Sequence, residues 1–155
     1  HLRVMVTRLV VMRHAESSLD YPSLADHDRP LNARGQHEAS QIARALAERG
    51  WVPHLILVSS SRRTIETLEG LASLIDESRI EIRSEIYHAG LSTLYNQLED
   101  MQEDGTTMIL GHNPGSEVLV NHLTGKWEEM PTAAAALIEK SGDKWSLIDV
   151  LRPKE

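Results

Sequence analysis

Three short polar segments in this 155-residue sequence each follow an apolar run. Arg13-His14 follows Leu9-Val10-Val11-Met12, Ser59-Ser60-Ser61-Arg62-Arg63 follows Leu55-Ile56-Leu57-Val58, and Gly111-His112-Asn113 follows Met108-Ile109-Leu110. Guanidinium forks match phosphate oxygens in a bidentate way. An imidazole can attack phosphorus and hold the phosphoryl group covalently, which splits one difficult displacement into two easier ones. Each segment alone is bland: an Arg-His pair as capping material, the serines as a helix start, Gly-His-Asn-Pro as a strand-to-helix turn. Together at one sheet edge they would form a positive pocket on a protein whose formal net charge is −7.

The elements that must bring them together follow from periodicity. Thr7 to Met12 is apolar and β-branched without alternation, as a strand buried on both faces would be. Gly35 to Arg49 places Ile42, Ala43, Leu46 and Ala47 on one helical side, and Gly50 sits where a glycine just past a helix end belongs. Leu55 to Val58 is a second buried strand. Ser59-Ser60-Ser61 supplies helix N-caps, after which Ile65, Leu68, Leu71, Ala72 and Ile75 recur at helical spacing. A short strand near Ile80 to Arg83, a helix over about Ser92 to Glu103 and a strand at Thr107 to Leu110 continue the alternation. Pro114 suits a first helical position, with the helix running to about Leu123. Ala134 to Ile138 and Trp145 to Leu151, joined by Ser141-Gly142-Asp143, predict a terminal hairpin. The expectation is an α/β three-layer sandwich: a mainly parallel central sheet, helices on both faces and a C-terminal antiparallel edge hairpin. In such sheets ligands bind beyond the carboxyl ends of the strands, where all three polar segments fall. The helices starting at Ser61 and Pro114 would aim free N–H groups at the same place.

The bulk composition narrows the function classes. Residues 1 to 155 suit a single domain with its own core, and residues 1 to 6 carry no functional weight. With 41% hydrophobic and 25% charged residues the chain reads as globular, and no stretch approaches a membrane span. No secretion leader is visible, so a cytoplasmic location is the default. The absence of cysteine excludes a disulfide scaffold, a thiolate zinc site and a cysteine nucleophile. The acidic balance argues against nucleic acid or an anionic membrane as partner. No residue set has zinc-ligand spacing or a carboxylate cluster for magnesium, so neither metal nor cofactor is expected: Gln41 stands where a zinc-binding His37-Glu38 helix would need its second histidine, and His112 and His122 make no metal spacing. His27, His37, His54 and His122 read as surface or packing residues.

The segment Leu9 to Glu16 resembles the Arg-His-Gly or Arg-His-Ala signature of the histidine phosphatase (phosphoglycerate-mutase-like) superfamily. Asp26 to Gly35 is similar to its Asp-x-x-Arg-Pro-Leu-x-x-x-Gly, Ser59 to Thr67 to its Ser-Pro-x-x-Arg-Ala-x-x-Thr, and Met108 to Pro114 to its second-histidine motif. In this short form, over about residues 7 to 152, the pattern looks most like the SixA-type phosphohistidine phosphatases. Ser60 and Thr64 depart from the family's proline and alanine, which touches loop geometry and not the charged groups.

The resemblance implies that His14 is the nucleophile and that Arg13, Arg63 and His112, with Asn113, hold the phosphoryl oxygens. Neighbouring guanidinium groups disfavour a protonated imidazole, so His14 should be neutral and able to attack at neutral pH. For the proton donor the best candidate is Glu85, by its place after the third strand; Glu16, Asp26 and His88 remain open. Asp26, Arg29 and Gly35 are expected to pin the loop beside the site. The implied substrate is a phosphohistidine on a partner protein, a phosphotransfer domain or carrier. Alternatives are a phosphatase or mutase acting on sugar phosphates, and a phosphoprotein-binding module without turnover. A mutase would need lid segments for which the chain has little length.

Overall fold

The computed structural model describes residues 6–154. The reading of residues 1 to 6 therefore lies, Val6 apart, outside the described residues. In chain order the elements are β1 (Thr7–Arg13), α1 (Ala33–Glu48), β2 (Leu55–Ser59), α2 (Arg62–Gly70), β3 (Arg79–Arg83), α3 (Leu91–Gln97), β4 (Thr106–Gly111), α4 (Gly115–Thr124), β5 (Ala135–Ser141) and β6 (Lys144–Leu151). The six strands form one sheet in the order β3-β2-β4-β1-β5-β6. The first four in that order are parallel; β5 runs antiparallel to β1 and β6 antiparallel to β5. This is the expected mixed α/β sheet with its antiparallel edge hairpin.

Alternation within the strands divides the core into two layers. Val10 and Met12 of β1, Ile56 and Val58 of β2 and Met108 and Leu110 of β4 pack with Ala39, Ile42, Ala43 and Leu46 of α1 and Leu68 of α2. Leu9, Val11, Leu55, Leu57 and Ile109 face the other way, against Leu94 of α3 and Leu119 and Val120 of α4. Strands covered on both sides need no polar face, which is why their sequences do not alternate. The end of α1 is fixed by Gly50, at φ +73°: its N–H donates to the Ala47 carbonyl and that of Trp51 to the Leu46 carbonyl. That pair of bonds in a left-handed glycine turn is the Schellman ending anticipated for Gly50.

Two helices are shorter than their apolar spacing predicts. Helix α2 stops at Gly70, where Leu71 and Leu74 continue in tight turns, their N–H groups donating to the Leu68 and Leu71 carbonyls. Of the residues in the expected spacing past Gly70, Leu71 is buried, Ile75 partly buried and Ala72 exposed, while Leu74, outside that set, is buried as well. Helix α3 ends at Gln97 and tightens into a 3-10 turn, Leu98–Asp100, instead of running to Glu103. Pro114 is the N-cap of α4, whose first helical residue is Gly115.

Candidate active site

The sheet order places the three polar segments side by side. Strand β1 pairs with β4 in the register Arg13↔Gly111, so His14 and His112 each stand one residue beyond neighbouring strand ends. Their rings lie 5.3 Å apart, centroid to centroid. Strand β2 flanks β4 on its other side and delivers Ser59 and then Ser61, whose side chain caps α2 by accepting from Thr64 N–H. That cap fixes the first turn of α2, which carries Arg63.

The His14 ring is held in one orientation. Nδ1 is 2.7 Å from the Ala15 carbonyl oxygen, which can only accept, so the neutral ring carries its hydrogen on Nδ1 and its lone pair on Nε2. Ala15 N–H donates to Thr67 Oγ1, which in turn donates to the Arg63 carbonyl. The next turn of the loop is clamped by Gly35: an added Cβ there would come far inside contact distance of the Glu16 carbonyl oxygen, so only glycine lets α1 approach so closely.

Three further groups line the cleft with His14. Arg63, buried almost completely, places Nε 3.4 Å from His14 Nε2 while donating from Nη1 to the Asp26 carbonyl at 2.7 Å and from Nη2 to Asp26 Oδ2 at 2.9 Å. His112 Nε2 is 2.8 Å from Ser59 Oγ. Ser59 Oγ also accepts from Ser61 N–H, and when its hydroxyl donates to His112 Nε2 the ring carries its hydrogen on Nδ1, which is buried without a protein partner. Arg13 donates from Nη1 to the Met130 carbonyl, to which Asn113 Nδ2 also donates, and Met130 N–H is held by Glu117 Oε2. Arg13, His14, Arg63, His112 and Asn113 all line one cleft of about 400 Å³.

An imidazole lone pair in a cleft lined by fixed cationic and N–H donors is the arrangement a phosphoryl group requires, and residues 9–107 match the Histidine phosphatase superfamily (branch 1). The chain belongs to this superfamily. Among relatives, an uncharacterized chloroplastic protein of Arabidopsis thaliana is 34% identical over 151 residues, covering 89% of this chain and 68% of that one. Among solved structures, a candidate phosphohistidine phosphatase SixA from Agrobacterium tumefaciens is 30% identical with a TM-score of 0.86, covering 95% of this chain and 98% of that one. A protein histidine phosphatase SixA complexed with tungstate shares the fold at a TM-score of 0.82, with 22% identity over 94% of this chain and 97% of that one. By family and fold this is a histidine-phosphatase-superfamily hydrolase with a SixA-type fold. Among the described residues no helix is long and apolar enough to cross a membrane, and no group of three or more His, Asp or Glu side chains is arranged to hold a metal ion.

Of the four proton-donor candidates in this histidine phosphatase, Glu85 is not brought to the cleft. It lies exposed on the 3-10 turn Ser84–Ile86, where Ile86 turns into the core and thereby directs its neighbour to solvent. Glu16, Asp26 and His88 do line the cleft. Glu16 is engaged at both oxygens, by Asn32 Nδ2 and by Arg34 Nε. Asp26 binds Tyr87 Oη at 2.5 Å, His88 Nε2 at 2.8 Å, Arg29 and Arg63, and the Tyr87 hydrogen bond leads these in holding its carboxyl far below the usual carboxylate range. Arg29 also reaches Ser17 Oγ, so Asp26, Arg29 and Gly35 do brace the loop beside the site. Ser59 and Thr67, the two ends of the motif around Arg63, support the site as well; Tyr87, Glu117 and Met130 do so without having been singled out from sequence, because their contacts cross between elements and no local spacing announces them.

Burial lowers the pKa of His14 from 6.5 to about 4, with Arg63, Arg13 and Arg29 adding to it, and lowers that of His112 to about 3. The sequence pointed to the arginines as the cause; loss of solvent is the larger one. Both rings are neutral in the folded protein at neutral pH, whereas in the unfolded chain they take up protons as pH falls through about 6.5. Stability should therefore be level above pH 7 and fall as pH drops from about 6.5 toward 4, by about 1.4 kcal/mol per pH unit per histidine at most. Denaturant melts at pH 7.5 and 5 measure this, and equal stabilities at the two would contradict burial of neutral rings.

Proposed function

We propose that the chain is a metal-independent phosphohistidine phosphatase, in which His14 takes a phosphoryl group from a histidine on a partner protein and gives it to water. The observation that carries this reading is the polarity of the His14 ring, with Nδ1–H committed to the Ala15 carbonyl and the lone pair therefore on Nε2, where it accepts only a long 3.4 Å bond from Arg63 Nε. The Nε2 lone pair forms a bond to phosphorus as the bond to the leaving group breaks. Arg13, Arg63, His112 Nδ1–H and Asn113 are the groups available to the phosphoryl oxygens. Water then attacks phosphorus, the N–P pair returns to Nε2, and inorganic phosphate departs.

The choice of substrate rests on leaving groups and access. A serine or sugar alkoxide needs a proton as its bond breaks, a service worth typically ~10²–10⁴ in rate, whereas an imidazole leaves more readily. Leu19, 82% exposed, stands at the cleft rim, which suits a phosphorylated residue presented on another protein's surface, such as a phosphotransfer domain or carrier. The test is a parallel screen of phosphohistidine proteins, phosphoserine peptides and sugar phosphates, each with and without EDTA. The expected result is the highest kcat/KM on phosphohistidine protein, unchanged by EDTA, because fixed cationic and N–H donors supply the stabilising charge. A wide preference for sugar phosphates would overturn the substrate, and loss with EDTA restored by a metal ion would overturn the mechanism.

A further inference from the structure

Protonation of the leaving group has no owner among the residues that bind the phosphoryl group. Asp26 is held as an anion by four donors and has no proton to give. Glu16 is tied at both oxygens and Glu85 stands outside the cleft. His88 is differently placed. Its backbone has φ +50°, the left-handed region that a residue bearing a side chain rarely adopts. The segment cannot relax away, because Ile86 is buried beneath it and Gly115 of α4 lies so close to the Ala89 carbonyl that a Cβ would collide.

Every element packed around the ring contributes a partner. Asp26 Oδ2 lies 2.8 Å from Nε2, Arg63 Nη2 lies 3.4 Å from the same nitrogen, and the rings of Tyr87 and His112 lie 4.2 and 4.9 Å away, centroid to centroid. Arg63 thus touches His14 Nε2 through Nε and His88 through Nη2, so one guanidinium spans the nucleophile and the second imidazole. The half-exposed ring of His88 lines the same cleft as His14, within reach of solvent. A carboxylate that fixes one ring nitrogen leaves the other to move a proton.

We propose that His88, oriented through Nε2 by Asp26, donates a proton from Nδ1 to the leaving group. The proposal rests on the phosphatase reading above. In the first step the His14 Nε2 pair bonds to phosphorus, the bond from phosphorus to the leaving oxygen or nitrogen breaks, and the Nδ1 proton of His88 goes to that atom. In the second, water attacks phosphorus and gives a proton to His88 Nδ1, the N–P bond breaks, and phosphate leaves with both histidines restored.

The test compares wild type with His88→Asn, since asparagine tolerates the left-handed backbone, on p-nitrophenyl, phenyl and alkyl phosphates and on a phosphohistidine protein. His88→Asn should keep kcat/KM for p-nitrophenyl phosphate and for phosphohistidine within about tenfold while losing ~10²–10⁴ on alkyl phosphate. Phosphorylated His14 should accumulate in the variant, because its hydrolysis has lost the proton acceptor. An equal loss across the series, or none, with the melting temperature retained, overturns the role of His88 and leaves the phosphatase reading standing. A wild type that neither forms phosphorylated His14 nor turns over any of the four substrates overturns that reading itself.

Discussion

Replacing His14 with alanine should lower turnover of every phosphorylated substrate by about 10⁴-fold or more, the scale seen when a covalent nucleophile is removed. Acid-labile, alkali-stable label should appear on wild-type protein and be absent from the variant. The effect is expected to be this large because no other imidazole can take over. His112 Nε2 is occupied by Ser59 Oγ and His88 Nε2 by Asp26. The fold should survive: the ring makes one hydrogen bond to its neighbour's carbonyl and accepts one long bond from Arg63 Nε, and the strand that leads to it is held by two others in the sheet. Circular dichroism and a melting curve alongside the assay separate loss of chemistry from loss of structure. Normal turnover by His14→Ala would end the assignment.

Arg63→Lys should cost nearly as much as Arg63→Met, about 10²–10³ in kcat, the size of effect seen when one preorganised donor is removed from a charge-stabilising site. Charge alone is not what the residue supplies. Its three nitrogens engage His14 Nε2, the Asp26 carbonyl and Asp26 Oδ2 at once, and a single ammonium cannot span them. With the fork gone, the Asp26 loop loses its anchor to α2. Assays on p-nitrophenyl phosphate with melting curves check this, and a lysine variant that recovers most of the wild-type rate would show that position and planarity matter little.

The buried strands and the pocket at their carboxyl ends were legible because each depends on a few adjacent residues. Three or four apolar residues followed by Arg-His or Gly-His specify a strand end, and parallel packing does the rest. The Asp26 network was not legible, since its bonds to Arg63, Tyr87 and His88 span 37, 61 and 62 positions and follow no local period. Glu85 misled for a related reason. Its place after the third strand was read well, but a three-residue turn has no periodicity from which to tell which side chain goes inward, and Ile86 took that side. The lengths of α2 and α3 were overestimated where leucines stay buried on turns.

The central position of β1 also sets when the protein can become active. Its hydrogen-bonding neighbours are β4 and β5, whose paired residues lie about a hundred positions or more further along the chain. During synthesis β1 therefore waits unpaired while α1, β2, α2, β3 and α3 are made. Closing such distant contacts slows folding relative to a local meander. No partial product ending before Gly111 can assemble the pocket, since it lacks both the strand that aligns His14 and the second histidine. Activity is accordingly closed to any nascent chain in which β4 and β5 have not yet been made.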